Sequence, residues 1–264
     1  MSDVVYLYGF VPADAAAPPP DVVGVADAPV RLVALAGVQA AVADVPGDAY
    51  GTDHVESRLT DLAWVGEQGL AHERVVVWFA DNSEILPARL FSLYSGDESL
   101  RAAVSSRLDA VRSALRALTG KREWNLKVAY DADELARHGA EISQELKRMD
   151  EEIAGAAPGR RYLLERRRAD AAQKEIDRAA RTLADELVAA LRTHAEDVRV
   201  LPPADRAESG TVVLNAALLV TRAAEPALRV HAEDLHRRYA ALGMIVSFSG
   251  PWAPYRFLEL YDDA

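Results

Sequence analysis

The sequence predicts an α+β protein of two domains, and three observations predict it. Short β-branched and aromatic runs, such as VVYLYGFV at 4–11 and EWNLKVAY at 123–130, alternate with stretches of helical period. Composition shifts after Asp131, where two Ala-, Glu- and Arg-rich segments at 132–153 and 160–195 flank Ala-Ala-Pro-Gly. From Glu123 onward the order reads strand, long helical insert, strand, strand, helix, strand. That βαββαβ order predicts a ferredoxin-like unit with an enlarged first helix.

Each element follows in turn. VVYLYGFV ends at Pro12 and reads as a strand, and the Ala-, Pro- and Asp-rich residues 12–29 read as a surface loop. RLVALAG and VQAAVADVP predict a hairpin turning at Gly37. Residues 54–70 predict a helix with Leu59, Leu62 and Val65 on one face. RVVVWFA at 74–80 is a continuous apolar run that suits a strand covered on both sides, and ILPARLFSLYS reads as extended. Asp97 is the expected N-cap of an amphipathic helix through Leu100, Val104, Leu108, Val111, Leu115 and Leu118.

The two segments around Pro158-Gly159 predict an antiparallel, coiled-coil-like helical hairpin over 132–195. Such an arm should project from a compact body, so its deletion should leave the sheets folded. Strands near 197–202, 211–222 and 244–250, with a helix from about Glu225 to Leu242, complete the second domain. The N-terminal part holds the same ingredients in a less regular order. The reading is therefore two ferredoxin-like domains, 1–120 and 121–264, the second carrying the arm.

Composition narrows the chemistry. The 264 residues contain no cysteine, which excludes disulfides, thiolate metal sites and cysteine nucleophiles. A net charge of −11 opposes nucleic acid and anionic lipid. With no signal sequence and no apolar run of about 18 residues, the chain reads as cytoplasmic. The six histidines lack ligand-spaced partners and are expected in solvated or capping roles, His72 at a helix-to-strand corner. No phosphate loop, dinucleotide fingerprint or nucleophile elbow occurs, so no catalytic, cofactor or metal residue is assigned. Arg166-Arg167-Arg168 is expected to pair with acidic neighbours within the arm. RNA binding lacks both the aromatic signature and the charge.

The aromatic stretch GPWAPY at 250–255 is stiffened by two prolines and hinged at a glycine. It is expected to fold back over the second domain's sheet and bury Trp252, with the Tyr255 hydroxyl reaching water. An exposed aromatic anchor for a partner is the other reading. Asn215, in the middle of a strand, is expected to hydrogen-bond, with residues 250–255 as the expected partner.

With these residues in view, the chain resembles the gas vesicle protein F/L family. The likeness runs over nearly the whole length and is carried by two blocks. Residues 86–128 match an L-P-x-R-F-G-T stretch through Leu86, Pro87 and Arg89, and a G-K-x-E-W stretch through Glu123 and Trp124. Residues 214–257 match N-x-x-x-L-V through Asn215 and G-P-W-P-P-Y-x-F through Gly250, Pro251, Trp252, Pro254 and Tyr255. Leu90-Phe91-Ser92 departs from Phe-Gly-Thr, and Ala253 replaces a proline. The resemblance implies a non-catalytic minor gas vesicle component, cytoplasmic and vesicle-associated. It would bind the hydrophobic A-type shell protein and other accessory proteins, help nucleate vesicles and prevent shell-protein aggregation. It implies no cofactor, nucleic acid, membrane or small-molecule substrate. The alternative is an enzyme or small-ligand-binding protein on a ferredoxin-like scaffold.

Overall fold

A computed structural model describes residues 3–202 and 210–257. The chain divides into two compact units. The first holds the chain up to Arg122 together with the residues from Trp252 on, and the second is Glu123–Pro251. The expected division placed everything after residue 120 in one domain. The C-terminal segment instead joins the first unit, because its apolar side chains are buried there.

In the first unit, β1 (Val4–Pro12) is followed by the hairpin β2 (Arg31–Leu35) and β3 (Val38–Val45). Between β1 and β2 the chain makes one turn of 3-10 helix at Val25–Asp27, where a βαββαβ order would have a full helix. Short helices α1 (Gly47–Tyr50) and α2 (Thr52–Arg58) lead into the long α3 (Leu62–Asn82). Then come β4 (Leu86–Pro87), β5 (Leu93–Tyr94), α4 (Asp97–Val104) and α5 (Leu108–Leu118). The sheet runs β2-β3-β1-β4, with β5 also pairing β1, and these pairings are antiparallel. Strand β1 is buried along seven successive residues because both its faces are covered. Tyr6 and Tyr8 share a core with Val75, Val76 and Phe79 of α3, while α5 touches β1 and β4.

Three expectations in this unit are corrected. RVVVWFA is not a strand; it is the second half of α3. The buried residues Trp64, Gln68, His72, Val75, Val76 and Phe79 recur at three- and four-residue steps, so one helical face carries the core. Leu59 and Leu62 do not form a buried face, for Leu62 is 81% exposed. Asp97 is not the cap of its helix: Gly96 occupies that position, and the Asp97 carboxylate takes Arg31, which also pairs with Asp44.

The second unit is built on β6 (Lys121–Tyr130), whose first two residues belong to the first unit. The helices α6 (Ala132–Arg137), α7 (Gly139–Ile142), α8 (Gln144–Ala154) and α9 (Pro158–Arg192) follow. After them come β7 (Asp197–Leu201), β8 (Thr211–Thr221), α10 (Glu225–Ala240) and β9 (Met244–Trp252). The sheet order is β7-β8-β6-β9. Trp124, Leu126, Val128 and Tyr130 alternate into the core, while Asn125 and Lys127 between them stay partly exposed.

The helical segments pair as a hairpin, α8 against α9, with the incoming limb broken into three helices. At about 1.5 Å per residue, α9 runs roughly 52 Å. Only part of this hairpin stands apart from the core. Leu135, Leu146, Ile176, Ala180, Leu187 and Leu191 belong to the same buried cluster as the sheet. Residues 150–170 contain no buried side chain, and there Arg168 pairs with Asp150 and Arg160 with Glu152. Deleting the whole of 132–195 would therefore remove a third of the buried core cluster, whereas the turn at Pro158 can be shortened without exposing it.

Candidate functional site

The family-motif residues fall into separate settings. Leu86 and Pro87 are buried on β4, opposite Phe10 and Gly9 of β1. Gly9 is required there, since a Cβ would stand 2.5 Å from the Leu86 carbonyl oxygen. Arg89 is exposed, and its carbonyl accepts from the Ser92 hydroxyl at 2.8 Å. Phe91, at the position of the family's glycine, has φ +62°, a left-handed conformation that costs a side chain of this size. Its ring stacks on Trp64 with centroids 5.1 Å apart, and its N–H donates to the Tyr6 hydroxyl at 3.3 Å. The stacking offsets the strain that glycine would avoid.

The C-terminal motif behaves differently from its expectation. Trp252 is 38% exposed and is not buried as expected. Ala253, Pro254 and Phe257 are buried instead, Ala253 within the first unit's core beside Ile85 and the α3 residues. The small Ala253 side chain fits a site with no remaining exposure, and so the large neighbouring ring is left outside. The part-buried Tyr255 hydroxyl has a protein partner, donating to Glu73 Oε2 at 2.8 Å. Burial raises the Glu73 carboxyl above its usual range, and the tyrosine bond opposes that rise.

Around Glu73 lies a network that sequence reading missed. His72 is buried, its Nδ1 2.8 Å from the Tyr6 hydroxyl. Burial disfavours the imidazolium and lowers its pKa to about 4. The Tyr8 hydroxyl accepts from the Val25 N–H at 2.9 Å, and the Tyr50 hydroxyl donates to Gln68 at 2.9 Å. Desolvation pushes the Tyr6 and Tyr8 phenols well above their ordinary value, so both stay protonated. The signal was present in the spacing of Gln68, His72 and Val76, four residues apart on one helical face. Three further histidines also have partners, whereas His54 is exposed as expected. His194 Nε2 lies 2.9 Å from His231 Nδ1, and His236 Nδ1 lies 2.9 Å from the Val246 carbonyl.

In the second unit, Glu123 and Trp124 are 1% and 2% exposed on β6. Trp124 stacks on Phe248 of β9, with centroids 4.8 Å apart and planes 10° apart. The Arg229 guanidinium of α10 lies over the same indole, 4.5 Å from its centroid. Gly250 has φ +142°, and a Cβ there would meet the Glu123 carbonyl and the Trp124 ring at 3.0 Å. Glycine is therefore needed for this ring to lie under the strand. Trp124, Arg229, Phe248 and Gly250, with Glu233 and His236, line an open groove of about 570 Å³ between α10 and β9. Asn215 is half-buried and does not meet residues 250–255; its side-chain amide donates to the Pro202 carbonyl at 3.5 Å.

Among the described residues no three metal-ligating side chains cluster. No described helix is long and apolar enough to cross a membrane. Tyr6 and His72 hold each other, Tyr8 is held by backbone and Tyr50 by Gln68, an arrangement that fixes packing.

Comparison with known proteins gives these features a context. Residues 4–259 match the family described as gas vesicle synthesis protein GvpL/GvpF. Gas vesicle protein L of Streptomyces sp. (strain CB03234) is 31% identical over 245 residues, covering 91% of this chain and 87% of the relative. Gas vesicle protein F of the same strain is 26% identical, covering 96% and 99%. The crystal structure of the gas vesicle protein GvpF from Anabaena sp. PCC7120 is similar in fold, with a TM-score of 0.71 at 17% identity over 98% of this chain and 99% of that one. A match that spans both units, their two sheets and the C-terminal aromatic motif establishes that the chain belongs to the gas vesicle synthesis protein GvpL/GvpF family.

Proposed function

We propose that this protein is a non-catalytic accessory factor of gas vesicle formation. In this reading it binds the hydrophobic A-type shell protein and other accessory proteins in the cytoplasm. It helps nucleate the vesicle, holds shell subunits back from aggregation and remains associated with vesicles. The observation that carries the reading is the family match over residues 4–259, which brings a gas vesicle role with it. An acidic surface keeps an adaptor soluble while it handles an apolar client, and the net charge of −11 suits that task.

The order β7-β8-β6-β9, with helices after β6 and between β8 and β9, supports a ferredoxin-like second unit with a helical-hairpin insertion. The first unit is a more distant variant of that plan. The functional test is a deletion strain together with a pull-down on purified A-type shell protein. The expected outcome is few or no vesicles by electron microscopy and capture of the shell protein. Normal vesicles together with no capture would overturn the proposal.

A further inference from the structure

We propose that the groove between α10 and β9 docks an extended segment of another polypeptide along the outer edge of β9. That segment carries an acidic side chain at each end and an apolar one between them. The inference rests on the second unit alone and does not depend on the vesicle role.

The first observation is the edge itself. In the order β7-β8-β6-β9, no described strand pairs the outer side of β9. The Val246 carbonyl meets His236 of α10, so this edge faces the groove. Backbone groups alternate along an antiparallel strand, so Phe248 and Gly250 present theirs to the same side. Such an edge is a template for an added strand. Pro251, which has no N–H, ends the pairing.

The second observation is the helix face opposite. Arg229, Ala232, Glu233, His236 and Arg237 line the groove at steps of three and four, so one continuous face of α10 forms its wall. Arg229 and Arg237 stand eight residues apart, about 12 Å along the helix. Four residues of extended chain cover about 13 Å. Side chains at i and i+4 of a strand share a face, with i+2 between them. Two carboxylates in that spacing reach both arginines, and the residue between them meets the part-exposed Phe248 ring, which stacks on Trp124.

Charge sets the chemistry of the occupant. Arg229 is exposed, stacks on Trp124 and has no acidic partner among the described residues. Arg237 is held only by an exposed pair with Asp234 at 3.5 Å, which exchanges at little cost. Glu233 lies between the arginines in sequence and disfavours a carboxylate at the middle position, where the aromatic floor already selects an apolar side chain. The volume, about 570 Å³, is in the range of ligand-binding clefts.

The test uses the full chain and a fluorescein-labelled peptide reading Gly-Asp-Ser-Leu-Ser-Glu-Gly, followed by anisotropy. A version with both acids replaced by their amides should bind about tenfold more weakly. Arg229→Glu should weaken the acidic peptide by about tenfold or more; the variant also loses the stacking on Trp124, so binding is compared at a temperature where its melting curve shows it folded. Arg237→Glu should act in the same direction. Peptides N-methylated at one alternate set of amides should lose binding, and those methylated at the other set should keep it. Equal binding of the acidic and amide peptides, unchanged affinity in both arginine variants, equal tolerance of the two methylation patterns, or no binding of any peptide would each overturn the proposal.

Discussion

The two units each centre on one long strand, β1 in the first and β6 in the second, yet they fill their interiors differently. Strand β1 is buried on both faces, so its alternate residues have nowhere to meet water. Its tyrosines therefore enter the core with their hydroxyls, and each hydroxyl finds a partner: His72 and the Phe91 N–H for Tyr6, the Val25 N–H for Tyr8. Strand β6 alternates, sending Trp124, Leu126 and Val128 inward and leaving Asn125 and Lys127 partly exposed. The side chains that β6 sends into its core cluster are hydrophobic apart from the Tyr130 hydroxyl, although the strand also buries the Glu123 carboxylate near its start. A strand covered on both sides must satisfy the polar atoms it buries, and this ties the first unit's stability to hydrogen bonds and to pH. The second unit's clustered core depends more on packed volume.

The largest effect expected from that contrast is at the aromatic floor of the second unit. Trp124→Ala removes a ring stacked against Phe248 and Arg229 and should cost about 3–5 kcal/mol. Trp252→Ala, at a ring 38% exposed, should cost well under half of that. Chemical denaturation of both variants checks the order. Equal losses would mean that Trp252 is as deeply packed as Trp124.

Next comes pH. The His72 pKa is lowered to about 4 in the folded chain, while an unfolded histidine titrates near its ordinary 6.5. Between these values the unfolded chain binds the extra proton, so His72 contributes stability above about pH 6.5 that is lost as pH falls toward 4. The full loss is about 3 kcal/mol. Glu73, whose carboxyl is raised by burial, works with the opposite sign: its share is present at low pH and declines as pH rises. Measuring stability against pH for the parent and for His72→Gln isolates the histidine. The variant should lack the acid-side decline between pH 6.5 and 4, and an unchanged slope would contradict the buried, neutral imidazole.

The smallest effect concerns the C-terminal segment. Tyr255→Phe deletes the hydroxyl that donates to Glu73 and should cost about 1–2 kcal/mol. The same change should raise the Glu73 pKa further, because the bond that opposes burial is gone. A thermal melt and a carboxyl titration by NMR read the two consequences. No change in either would mean that the segment is held by Ala253, Pro254 and Phe257 alone.

Much of the fold was legible before any coordinates. The strands beginning VVYLYGFV and EWNLKVAY, the hairpin at Gly37, the hairpin helices either side of Pro158 and the strand-helix-strand ending all stand where periodicity and turn chemistry put them. These are local properties: alternation, a three- to four-residue apolar repeat, a proline that starts a helix. The RVVVWFA run failed because a continuous apolar stretch fits a doubly covered strand and a buried helix equally well. Gly66 and Gly69 hid the repeat that would have carried Trp64, Gln68, His72 and Val76 into a single helix. Asn215 and Trp252 failed for another reason. Whether an amide meets Pro202, and whether a tryptophan is enclosed, depends on which surface the chain reaches after a turn, and no local pattern encodes that. The residues of GPWAPY determined a stiff, aromatic connection. Only the tertiary structure decided that small Ala253, and not Trp252, fills the site with no exposure left, because a close-packed interior admits the side chain whose volume fits.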